Sequence, residues 1–106
     1  MATVQEKAAK KIGDAYFGEG AAIGDGAILK MLIDLFAGLI GGCPFGAKQA
    51  HRLVNGNRLQ QNRARRQIKW AAYDMTGDEQ QAEKMADVGM SVGQDSTEKE
   101  FVEFAG

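Results

Sequence analysis

Apolar residues recur at three- and four-residue intervals along most of this chain, which is the period of helices that bury one stripe. Val4, Ala8, Ile12, Ala15 and Tyr16 form the first stripe, and Thr3 followed by Glu6 has capping-box spacing. A helix is therefore predicted over about residues 4–17, stopped by Gly18. Residues 18–26 hold four glycines and read as a flexible or tightly turned connection, with Asp25 capping the next helix.

That next helix, about 27–42, is apolar over most of its circumference. Ile28, Leu29, Met31, Leu32, Ile33, Leu35, Phe36, Leu39 and Ile40 leave only Lys30, Asp34 and Ala37 or Gly38 for water, so neighbours should bury it on several sides. Lys30 and Asp34 are spaced to pair. Gly41 and Gly42 stop this helix, and Pro44 suits the first turn of another that begins near Phe45 and reaches Val54. Ala47, Ala50, Leu53 and Val54 should face inward there, Lys48 and Arg52 outward.

Asn55-Gly56-Asn57 predicts a break, with Gly56 in a left-handed cap and Asn57 capping the following helix; one continuous helix through Gly56 is the alternative. The helix from Arg58 to Thr76 should end at Gly77. Asp78 with Gln81 caps a fifth, whose inner face is Ala82, Met85, Ala86 and Met90. Asp95 or Ser96, followed by Glu98, caps a short last one carrying Phe101, Val102 and Phe104. No run of alternating β-branched residues suggests a strand. The expected fold is all-α: a compact bundle of about five helices around the central apolar helix, in a single helical domain over residues 1–106.

Charge changes this picture more than composition does. Residues 35–73 contain seven basic side chains and no acid, whereas residues 74–106 contain nine acids and two lysines. The net charge of -1 thus conceals a segment of +7 followed by one of -7. A basic surface so concentrated needs an anionic counterpart: the chain's own acidic third, the same segment of another copy, or a polyanion.

On a helical wheel at about 100° per residue, Ala64, Ile68, Ala71 and Met75 form a small-residue stripe directed inward. Arg58, Asn62, Arg65, Arg66, Lys69 and Tyr73 lie opposite, with Leu59, Arg63 and Trp70 at their flank. The candidate partner-binding residues are Arg58, Arg63, Arg65, Arg66, Lys69, Trp70 and Tyr73. Arginine planes beside aromatic rings suit phosphate pairing and base stacking. The structural alternatives are an Arg66–Trp70 cation–π stack and a Trp70 that anchors its helix against the next.

Other chemistry is sparse. One cysteine makes no internal disulfide, and Cys43 with His51 does not supply a usual metal-ligand set. The same two residues are the one nucleophile–base pair available, with no third group to orient the histidine, so they read as a buried thiol and a solvated imidazole. The glycines at 18, 20, 24 and 26 lack a preceding strand and a P-loop lysine, and read as a hinge rather than a phosphate cradle. Asp78, Glu79, Glu83 and Asp87 read as a solvated acidic face turned toward the basic helix. No cofactor, metal or catalytic residue is expected.

The run 27–43 is at the short limit for a membrane span, and Lys30 and Asp34 would each cost about 2.5–3.5 kcal/mol at its centre, so no transmembrane helix is expected. Ile40-Gly41-Gly42-Cys43 has the form of a lipobox, but it lies deep in the chain behind Asp34. Met1–Lys11, with Glu6 among three lysines, lacks the pattern of a secretory signal, and cytoplasm is the expected compartment.

These features together predict a small non-enzymatic helical binding or assembly protein that self-associates. Its basic helix region, 48–69, complements the acidic third. The alternatives are a nucleic-acid-binding module using the arginine-rich helix, and a protein of anionic membranes or acidic protein partners. The pI near 5.8 weighs against a dedicated nucleic-acid binder.

Overall fold

The computed structural model describes residue 10, residues 13–14 and residues 25–105, with side chains given for 10, 13–14 and 30–103. Among them are five helices of defined extent and no strand: α1 Asp25–Gly41, α2 Ala47–Val54, α3 Arg58–Thr76, α4 Glu79–Asp95 and α5 Glu98–Ala105. Lys10, Gly13 and Asp14 are also helical, Gly13 being buried. The Thr3–Glu6 cap, the rest of the helix expected over 4–17 and most of the glycine-rich connection lie outside the described residues. The Cα radius of gyration of 12.6 Å is that of a compact chain of this length.

The apolar helix is central, as its composition requires: α1 touches each of the other four. Leu32, Leu35, Phe36 and Leu39 are fully buried, joined by Val54, Ile68, Met85 and Phe101. Its dry face is narrower than the pattern implied, however. Ile33 is 41% exposed and Ala37 is exposed, sharing a side of α1 with half-buried Ile40. Asp25 is its first residue rather than its cap. Gly38 lets α1 approach α3 closely, since a Cβ there would overlap the Ala71 methyl.

Local chemistry sets the breaks. Gly46 N–H donates to the Cys43 carbonyl at 3.2 Å, closing a turn with Pro44 in its second position, so Pro44 and Phe45 precede α2 rather than begin it. The break at 55–57 separates α2 from α3, but Gly56 does not take the left-handed conformation; among the described residues only Gly46 and Gly77 have positive φ. Gly56 is needed instead for close approach, because a Cβ there would stand 2.9 Å from the Arg52 carbonyl oxygen. Thr97, rather than Asp95 or Ser96, caps α5: its hydroxyl accepts from Glu100 N–H at 3.1 Å while the Glu100 carboxylate accepts from Thr97 N–H at 3.0 Å.

α3 and α4 form an antiparallel hairpin across Gly77 and Asp78. Gly77 is left-handed (φ 66°), and the Asp78 carboxylate accepts from the Gln80 and Gln81 N–H groups. Ala82, Met85, Ala86 and Met90 are buried as expected, and Gly89 admits Ile68, whose Cγ2 would stand 3.0 Å from a Cβ at that position. Phe101 brings α5 onto Phe36 in an edge-to-face contact with centroids 4.8 Å apart. Among the described residues, no polar side chain is buried and no helix is long and apolar enough to cross a membrane.

Candidate functional site

α3 begins where Asn57 and Gln60 cap each other: Asn57 Oδ1 accepts from Gln60 N–H at 2.9 Å, and Gln60 Oε1 accepts from Asn57 N–H at 3.0 Å. Its buried stripe is Ala64, Ile68 and Ala72. Ala71 is half-buried, and Met75, expected inside, is 38% exposed. Replacing Ala71 and Met75 by Ala72 turns the inward direction by about 30° at the helical angle per residue. That rotation reassigns the outward side chains.

Arg65 and Lys69 are carried toward α4. Arg65 Nε donates to Asp87 Oδ1 at 2.9 Å, and Lys69 Nζ reaches Glu79 Oε1 at 3.2 Å and Glu83 Oε1 at 3.4 Å. The hydrogen bond to Glu79 pushes the Lys69 ammonium above its ordinary pKa, against its loss of hydration, with Glu83 adding to the rise. Thus part of the basic helix pairs with the acidic third of the same chain.

The residues brought to the crest are Leu59, Arg63, Arg66, Trp70 and Tyr73, spaced by four, three, four and three. They lie on the side directly opposite Ile68. Leu59 is 79% and Trp70 58% exposed, and the Trp70 ring meets Tyr73 edge to face with centroids 6.1 Å apart. Trp70 therefore does not anchor α3 against α4, and no Arg66–Trp70 stack forms. Arg58, Arg63 and Arg66 are exposed and make no ion pair among the described residues. The seven sequence candidates thus divide into Arg65 and Lys69, engaged in the fold, and Arg58, Arg63, Arg66, Trp70 and Tyr73, which face solvent.

Leu59 and Phe45 were not read as site residues. Phe45 is 82% exposed, in the turn between α1 and α2. That turn borders α3: a Cβ on Gly42 would fall 2.7 Å from Gln67 Cδ, and the Arg63 charge acts on the Cys43 thiol. A phenylalanine between proline and glycine, outside any stripe, was the available signal.

No hydrogen bond joins Cys43 to His51. Burial raises the Cys43 pKa, Arg63 opposing it only in part. His51 is half-buried rather than solvated: its Nε2 lies 2.7 Å from the Ser96 carbonyl, to which it donates, and its ring leans on Phe101. An open groove of about 670 Å³ is lined by Lys48, Glu98, Lys99, Val102 and Glu103, whose charges alternate in sign. No group of three or more metal-ligating side chains occurs among the described residues. In comparisons with known proteins, the chain matches no family model, no curated protein and no solved structure.

Proposed function

We propose that this chain is a small non-enzymatic helical binding and assembly protein whose contact surface is the outward face of α3. The observation that carries this reading is the crest itself: Leu59, Arg63, Arg66, Trp70 and Tyr73 stand in solvent opposite a complete buried stripe. Folding makes little use of these side chains, while tryptophan, tyrosine and arginine are the residues that most often anchor binding interfaces. Self-association belongs to the same reading. Ile33, Ala37 and Ile40 form an apolar strip on α1 that a second copy would cover.

Light scattering over a concentration and salt series tests self-association: the mass should rise with concentration and fall toward the monomer in Ile33→Glu. A monomer at every concentration would overturn that part. The nucleic-acid alternative is supported by Trp70 and Tyr73 beside unpaired arginines, but Glu79, Glu83 and Asp87 border the crest on one side. Oligonucleotide binding that weakens steeply with salt and is lost in Arg63→Gln/Arg66→Gln would favour it over assembly.

A further inference from the structure

We propose that the outward face of α3, with Phe45 beside it, docks on an anionic lipid bilayer, setting Leu59, Trp70 and Phe45 among the headgroups and Arg63 and Arg66 against lipid phosphates. This rests on the reading of that face as the contact surface and names its partner.

The alanine-rich stripe of α3, too small to hold a bilayer, is buried in the core. What α3 presents outward is a different set: one aliphatic, two aromatic and two arginine side chains, with Arg58 at the amino-terminal end and exposed Asn62 and Asp74 at the edges. The crest runs about 21 Å from Leu59 to Tyr73 at the helical rise per residue. Tryptophan, leucine and arginine are all enriched in helices that lie in the membrane interface, where rings sit at headgroup level and guanidinium groups reach phosphate. The turn that carries the exposed Phe45 packs against Gln67 of α3, which adds an apolar side chain near this helix.

Composition and charge favour a bilayer over other anionic partners. The two most exposed large apolar side chains, Phe45 and Leu59, stand in solvent, and the groove described above lies elsewhere, between α2 and α5. A protein partner would have to bring a matching cavity; a fluid bilayer conforms. The carboxylates of Glu79, Glu83 and Asp87 are exposed on the α4 side of α3, where Arg65 and Lys69 pair with them. A nucleic-acid strand would leave the exposed Leu59 and Phe45 in water, whereas a bilayer interface takes up such side chains. A second copy is a poor occupant, because pairing the crest with itself opposes arginine to arginine.

Trp70 is the one tryptophan in the chain, so its emission reports this face directly. The full chain is mixed with vesicles of phosphatidylcholine, alone or with about one third phosphatidylglycerol, and followed by Trp70 emission, sedimentation and light scattering. The expected result is a blue shift and co-sedimentation with the anionic vesicles, at least about tenfold weaker on neutral ones and reduced by salt. Leu59→Asp and Arg63→Glu/Arg66→Glu should each lower binding about tenfold or more, while Lys30→Gln on α1 leaves it unchanged. All are surface positions, and circular dichroism checks that each variant remains folded.

No shift or sedimentation with anionic vesicles at low salt overturns the proposal. So does equal binding to neutral vesicles, or a stronger shift with oligonucleotide or polyglutamate. If vesicles fail while oligonucleotide or polyglutamate still shifts Trp70, the lipid inference falls and the contact-surface reading stands. If no anionic partner or second copy engages this face, both fall.

Discussion

Arg65 on α3 and Asp87 on α4, 22 residues apart in sequence, meet through a 2.9 Å bond from Nε to Oδ1. One turn later Lys69 reaches Glu83, so the partner number falls by four as the arginine-to-lysine number rises by four, which is antiparallel register. These contacts fix which side of α3 faces α4. They are exposed, and their worth is small. A double-mutant cycle with Arg65→Gln and Asp87→Asn should give a coupling below about 1 kcal/mol, shrinking with salt. A coupling of several kcal/mol would mean that the hairpin depends on this pair rather than on Ile68 and Gly89.

Gly38→Ala separates packing from helix propensity. Alanine should gain up to about 1 kcal/mol inside a helix. Here its methyl would overlap that of Ala71, and overpacking of this kind costs about 1–3 kcal/mol. The net expectation is a lower Tm, restored by Ala71→Gly in the same chain. Gly41→Ala, with nothing within 4 Å, serves as control and should be neutral. A stabilised Gly38→Ala protein would show that α1 and α3 do not approach this closely.

Lys69 gives stability a dependence on alkaline pH. Its folded pKa is raised by Glu79 first, then Glu83, so the native state holds the proton more tightly than the unfolded chain. The contribution is complete below the ordinary lysine pKa and is lost as pH rises through the folded value. Denaturation midpoints followed from pH 8 upward should fall less steeply in Lys69→Met than in the native sequence. Identical slopes would remove the ion cluster from the account.

Cys43 should be a slow thiol. Burial keeps it protonated despite Arg63, and only the thiolate attacks. Modification by a disulfide reagent at pH 8 should run at least about tenfold slower in the folded protein than in denaturant, and slower still in Arg63→Gln. Equal rates folded and unfolded would show that the turn at Gly42–Gly46 leaves the sulfur open.

Helix content, the breaks at 55–57 and at Gly77, and the centrality of the apolar helix were legible because each depends on local spacing, a cap or a glycine. Asn57 and Gln60 satisfy each other within one turn, whatever surrounds them. The cap of α5 was misread by one or two residues because Asp95, Ser96 and Thr97 all have capping side chains. The direction of the α3 crest was not local information at all. Alanines at both 71 and 72 leave two inward stripes equally plausible from spacing, and the choice follows from how α1 and α4 pack against α3. Sequence by itself determined that a basic helix would present one face to a core and another to an anionic counterpart. Only the tertiary structure decided that Arg65 and Lys69 meet that counterpart within the chain while Leu59, Arg63, Arg66 and Trp70 face outward, because a rotation of about 30° moves side chains between cleft and crest.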